Sequence, residues 1–91
     1  MKARHLRIEG RVHGVGYRDW VVQEASRLGL YGWVRNRRDG SVEAVVGGDA
    51  AAVQELLTLC RRGPALARVD RITENFAEPP TEPGFRRLPS L

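Results

Sequence analysis

Residues 10–18 read Gly-Arg-Val-His-Gly-Val-Gly-Tyr-Arg, a glycine-rich stretch closed by an arginine. Glycine accepts positive φ without steric penalty, so Gly10, Gly14 and Gly16 let the main chain turn its N–H groups toward one point. A helix beginning directly after them adds unpaired N–H groups and about half a positive charge. Arg18 falls where that helix should start, and its guanidinium offers a planar fork of donors matched to a phosphate or carboxylate. These are the parts of an anion cradle. Glycines alone would equally fit a tight turn; Arg18 is what favours the cradle. No Gly-Lys-Ser/Thr follows, so the stretch is not a Walker A loop. Asp19 stands where a dinucleotide fingerprint has its third glycine, and the chain is short for that fold.

The elements around the loop can be read from periodicity. From Arg4 to Val12 the chain alternates, with Leu6, Ile8, Gly10 and Val12 on one side and His5, Arg7, Glu9 and Arg11 on the other, as in a half-buried strand. From Asp19 the period becomes helical, through Val21, Ala25 and Leu28, with a stop at Gly29 and Arg27 in the last turn. Gly32 to Arg37 reads as a second strand, Arg38-Asp39-Gly40 as a hairpin turn, and Val42, Ala44 and Val46 as one face of a third strand. Asp49 is suited to cap a second helix carrying Val53, Leu56, Leu57 and Cys60, which Gly63-Pro64 ends. Val69 to Phe76 makes an imperfect fourth strand, out of phase unless a bulge near Asp70 and an edge position reconcile it. After a proline-rich excursion, Phe85 to Leu88 reads as a short edge strand.

The order βαββαβ predicts an α+β, ferredoxin-like sandwich: an antiparallel sheet with two helices on one face. In that topology strands one and two run the same way. The glycine loop and Asn36, at the end of strand two, then meet at one edge of the sheet. Taken alone, Asn36 would be a strand-end amide bonded to a turn; its placement opposite the loop makes it a candidate site residue.

A chain of 91 residues with net charge +4 is expected to form one domain over residues 1–91, burying about 60–65% of its unfolded surface. The mild positive balance suits a small anionic substrate as well as it suits nucleic acid. Cys60 is the lone cysteine, which leaves no intrachain disulfide and no cysteine-based metal site. The basic start Met1-Lys2-Ala3-Arg4-His5 is not followed by an apolar signal region, and no run reaches membrane-spanning length, so a cytoplasmic location is expected.

The loop with Arg18, then Gly32-Trp33-Val34-Arg35-Asn36, Gly40, Val42 and Gly48, resembles the acylphosphatase family, whose pattern is close to G-x-V-Q-G-V-x-F-R and G-(aromatic)-V-(basic)-N-x-x-x-G-x-V. The motifs span Ile8 to Gly48. His13 replaces the family's Gln and Tyr17 its Phe, and neither change removes an anion donor. The resemblance implies hydrolysis of the carboxyl–phosphate bond of small acyl phosphates without metal or cofactor. It assigns phosphate binding to Arg18 and the loop N–H groups of Arg11, Val12, His13, Gly14, Val15, Gly16 and Tyr17, and water positioning to Asn36. The chemistry agrees. A carboxylate is already a good leaving group, so phosphoryl transfer here is chiefly positioning and electrostatic stabilisation. An amide can both donate to water and accept from it. No nucleophile pair in either motif would form a phosphoenzyme.

Other residues have plainer readings. His13 is expected to shape the loop or contact the second strand, Cys60 to fill the core, and Trp20, Tyr31 and Trp33 to pack, with Trp33 also placed to line the acyl side. Arg35, Arg37 and Arg38 read as solvated charge or as steering for anions. An RNA-binding role lacks aromatic platforms on strands one and three. A non-catalytic ligand-binding module would not require the Arg18–Asn36 pair. A monomer acting on a small molecule, with no nucleic-acid or membrane partner, is expected.

Overall fold

The computed structural model describes residues 3–91; Met1 and Lys2, the start of the basic N-terminal stretch, lie outside them. Along the chain come β1 (Ala3–Arg11), α1 (Tyr17–Arg27), β2 (Tyr31–Asn36), β3 (Val42–Gly47), α2 (Ala50–Arg62), β4 (Arg68–Ala77) and β5 (Phe85–Arg87). The strands form one sheet in the order β4-β1-β3-β2-β5. The β4–β1, β1–β3 and β3–β2 pairs are antiparallel. The sheet is nonetheless not wholly antiparallel, because β5 adds to β2 in parallel. The proline-rich excursion carries the chain back to the start of β2, where Gly32 donates its N–H to the Gly84 carbonyl at 3.0 Å.

Leu6, Ile8, Val21, Val34, Val42, Val46, Leu56, Leu57 and Cys60 form the core between the sheet and its helices. Val12 and Tyr17 join it from either side of the glycine loop, each at most 2% exposed. Full burial of such a side chain is worth about 1.5–3 kcal/mol, so both ends of the loop are held to the core. That anchoring explains why α1 begins at Tyr17, earlier than the apolar spacing from Asp19 implied. Tyr17 also donates its hydroxyl to the Cys60 carbonyl at 2.8 Å, tying the start of α1 to the end of α2. At the other end of α1, Leu30 N–H bonds the Ala25 carbonyl and Gly29 N–H the Ser26 carbonyl, which closes the helix as its glycine stop required.

The bulge expected near Asp70 is present. Glu9 pairs with Arg71 but Gly10 with Val69, so Asp70 is the extra residue on the edge strand β4. Gly10, at φ 135°, is needed here because a Cβ would collide with the Arg68 carbonyl. It therefore serves the strand pairing and not the cradle, a correction to its place among the cradle glycines. Strand β3 departs from simple alternation, since Glu43 and Val45 are buried as well as Val42, Ala44 and Val46. Long side chains from the neighbouring strands cover the helix-free face over its centre.

Candidate active site

The loop joining β1 to α1 is built by residues of alternating character. Val12 is buried, Val15 packs on the core, and Gly14 and Gly16 between and after them are exposed. Gly14 and Gly16 sit at φ 70° and φ 76°. Val15 and Tyr17 have negative φ, and such a change of sign from residue to residue turns successive N–H groups to one side. Gly16 is the N-cap of α1 and has no side chain to cap it. The first helical bond beyond it runs from Trp20 N–H to the Gly16 carbonyl at 3.1 Å. Among the described residues, the N–H groups of Gly14 through Asp19 meet no backbone or side-chain acceptor. An uncapped helix start with a turned loop before it is suited to an anion.

Arg18 is the second residue of α1 and is half-buried. Its guanidinium titrates below the ordinary arginine value, through burial first and the neighbouring Arg87 second, with Asp19 opposing both. It stays cationic at any physiological pH.

Asn36 is the last residue of β2 and pairs with Val42. It shares a face with Val34, whose side chain is in the core beneath the helices, so the Asn36 amide ends the row on the helix-covered face. Its Oδ1 is buried and has no hydrogen-bond partner among the described residues. Most buried polar atoms are paired, and an orphan of this kind calls for an explanation.

One atom joins the two halves. The Ser41 carbonyl accepts from Arg37 N–H at 2.9 Å and from His13 Nε2 at 2.8 Å. His13 thus pins the loop to the hairpin that follows Asn36; of its two expected roles, shaping the loop fits this bond, and contact with the second strand itself does not. The structure therefore brings the loop, through His13, to the same end of the sheet as Asn36, with Arg18 in the first turn of the helix that follows. Arg11 stands apart: its side chain is exposed at the end of β1, paired in register with Arg68. The side chains of Val12 and Tyr17 are in the core, which leaves only their main-chain groups to offer.

Of the basic residues after Trp33, Arg38 is exposed as expected, but Arg35 and Arg37 are not simply solvated. Arg35 Nε and Arg37 Nη1 donate to Glu43 Oε1 at 2.8 and 3.0 Å, and His5 Nε2 lies 2.6 Å from Oε2. Burial pushes the Glu43 carboxyl up, but the bonds from His5, Arg35 and Arg37 outweigh it and hold the group at about 2. Trp33 lies under the Arg35 guanidinium on this same helix-free face, 4.8 Å from it, and so does not line the loop. Trp20 packs against Tyr17 with ring centroids 5.6 Å apart. Cys60 is fully buried, and burial pushes its thiol up to about 11, so it is no nucleophile. Among the described residues no group of three or more His, Cys, Asp or Glu is placed to hold a metal. No helix is long and apolar enough to cross a membrane. A concavity of about 620 Å³ beside Ser26, Leu30 and Phe85 is at the opposite end of β2 from Asn36.

Sequence reasoning missed Arg87. Its Nη1 donates to Asp19 Oδ1 at 2.7 Å, which brings a second guanidinium beside Arg18. Nothing in the tail announces this, because it depends on which strand β5 joins and in which direction.

Fold and site together define a class: a βαββαβ sandwich with a glycine-turned loop and an uncapped helix start between its first strand and first helix. A family model described as Acylphosphatase matches residues 4–87. The chain is 66% identical over 85 residues to an acylphosphatase of Acidiphilium cryptum, covering 93% of each chain. It is 52% identical over 91 residues to one from Rhodospirillum rubrum, covering the whole of both. Among solved structures it superposes on the acylphosphatase of Bacillus subtilis with a TM-score of 0.90 at 31% identity, over 97% of this chain and 99% of that one. The chain belongs to the acylphosphatase family.

Proposed function

We propose that the protein is a metal-independent acylphosphatase, hydrolysing the carboxyl–phosphate bond of small acyl phosphates to a carboxylate and inorganic phosphate. The phosphoryl group binds to the N–H groups of the loop, with Gly14 through Arg18 as its core, and to the fork of Arg18. Their donors are fixed before substrate arrives, so charge on the equatorial oxygens is stabilised without reorganisation. Asn36 orients the attacking water. As the water oxygen bonds to phosphorus, the bond from phosphorus to the acyl oxygen breaks. The carboxylate leaves with the electron pair, and the proton lost by the water departs with the products.

The observation that carries this reading is the buried, unpartnered Oδ1 of Asn36 at the end of the row beneath α1. A water held there would donate to it and be fixed beside the cradle. His13 acts as a positioning residue, keeping loop and strand end in register through Ser41. The protein works without cofactor as one cytoplasmic domain and as a monomer, with a small acyl phosphate as its partner and neither nucleic acid nor membrane. In support, the large exposed hydrophobics among the described residues are scattered, Leu66 in the turn before β4, Phe76 on β4 and Leu91 in the tail after β5.

The test is turnover of acetyl phosphate with excess EDTA, with inorganic phosphate as inhibitor. Full activity in chelator and competitive inhibition by phosphate are expected. Activity lost to EDTA and restored by magnesium or zinc would refute the mechanism, as would purely noncompetitive phosphate.

A further inference from the structure

The mechanism above uses one guanidinium, and a second is built beside it. Arg87 pairs with Val34 in the parallel ladder between β5 and β2, so both side chains are on the helix-covered face. Helix α1 packs against β5, and the Arg87–Asp19 bond at 2.7 Å ties the strand to the residue that follows Arg18. Asn36 is two residues beyond Val34 on the same face, about 7 Å along the strand. The chain leaving β5 follows β2 to that point, with Leu88 N–H on the Val34 carbonyl at 2.9 Å and Leu91 N–H on the Asn36 carbonyl at 3.1 Å. Arg87 therefore stands on the rim between the start of α1 and the end of β2.

Its neighbour on β5 behaves differently. Arg86 turns to Glu82 at 3.0 Å, on the other face of the sheet. The Arg87–Asp19 pair is solvent-reachable, with side chains 46% and 65% exposed. Such pairs add little to stability, typically about 0–1 kcal/mol, so a structural clamp is a weak reason for it. A guanidinium has five donors and Asp19 engages Nη1, which leaves others for a ligand. The trio Arg18, Asp19 and Arg87 carries a surplus positive charge, and Arg18 senses Arg87 in its own titration. Arg18 answers the phosphoryl group, and Arg87, though matched in charge by Asp19, keeps donors that Asp19 does not engage.

We propose that Arg87 forms a second anion subsite that favours acyl phosphates whose acyl group carries a further negative charge, a carboxylate or a phosphate. This rests on the acylphosphatase reading, and deepens it by naming a substrate class. In the bound state the acyl chain spans from the cradle to the β5 rim, and its distal anion shares Arg87 with Asp19.

The experiment compares succinyl phosphate with butyryl phosphate, which match in length and differ in the distal carboxylate. The readout is the ratio of their kcat/KM values at near-physiological salt, in the unaltered protein, Arg87→Gln and Asp19→Asn, with circular dichroism confirming each fold. The ratio should fall about tenfold in Arg87→Gln, as one charge-assisted bond is exchanged for a neutral one, and rise in Asp19→Asn. A ratio that does not move in Arg87→Gln overturns the subsite, even if both rates drop together. Calorimetric binding of 5-phosphonopentanoate against pentylphosphonate, whose chains match succinyl and butyryl phosphate in span, gives the same comparison without turnover. If the protein hydrolyses neither acyl phosphate, the acylphosphatase reading fails on that result alone. An Arg87→Gln variant that leaves the gap between the two phosphonates unchanged would refute the subsite separately.

Discussion

Replacing Asn36 with alanine should move activity and stability in opposite directions. The Oδ1 of Asn36 is buried without a protein partner among the described residues. Such an atom costs about 1–3 kcal/mol in lost hydration. Deleting it removes that penalty, while the few dispersion contacts of a strand-end amide return part of the gain. A net effect between zero and about 1 kcal/mol of stabilisation follows, which for a domain of this size raises Tm by up to about 4–8 °C. Catalysis should fall, since removing one positioned polar group at a reacting centre commonly costs about 10²–10³ in rate. The loop and Arg18 still hold the anion, so the inhibition constant for phosphate should change by less than about threefold. The assays are kcat on acetyl phosphate, phosphate inhibition and thermal unfolding on the same preparation. Normal kcat would remove Asn36 from the mechanism. A collapse of phosphate affinity alongside kcat would make it part of the cradle instead. A clear fall in Tm would show that the amide is a structural bond after all.

Arg18→Ala should abolish turnover and weaken phosphate binding by about 1.5–3 kcal/mol or more, and Arg18→Lys should recover only part, since an ammonium brings charge without the fork. Equal kcat/KM in the lysine variant would end the bidentate argument. His13→Ala should lower kcat/KM several-fold while costing about 1 kcal/mol in denaturant unfolding, and His13→Gln, whose amide can still donate to Ser41, should restore both; alanine and glutamine variants that behave alike would exclude the positioning role. The Glu43 carboxyl is held at about 2, below its ordinary 4.5, so its contribution is complete above pH 4.5 and is lost as pH falls toward 2. It is worth about 2 kcal/mol after screening at its partly exposed partners, so Glu43→Gln should lower Tm at pH 7 and converge with the parent near pH 2. Parallel Tm curves over that range would contradict the assignment.

Much of the fold was legible because its signals are local. Alternation marked β1, Gly29 and Asp49 marked helix ends, and the phase error at Val69 marked the bulge and the edge. The loop and Asn36 were legible for the same reason, as short motifs carried by elements whose order fixes their direction. What escaped the sequence depends on pairing across the sheet. Glu43 alternates as an exposed residue should, and its burial follows only once β1 and β2 flank it with His5, Arg35 and Arg37. The Arg37 in that set reads as free charge until the hairpin folds it back. Arg87 is one arginine of two in a short tail, and its direction follows from the parallel register with Val34. Gly10 was legible as a glycine but not as the residue facing the bulge, because the clash it avoids is with Arg68, far along the chain.

The two halves of the site carry complementary deficits. The cradle is a helix start left without a side-chain cap, at a glycine whose φ of 76° a serine or aspartate would adopt only with strain. The strand end holds an acceptor left without a donor. The proposed reaction supplies a partner to each, the anion to the first and the attacking water to the second. The Ser41 carbonyl between them makes two bonds, so the hydrogen bonding withheld at the site is spent one residue from each half. Phosphate, which fills only the cradle, should therefore raise Tm in the parent and in Asn36→Ala by the same increment at equal occupancy. A smaller increment in Asn36→Ala would mean that the two halves bind as a unit, and that division of labour between Arg18 and Asn36 is not how this site works.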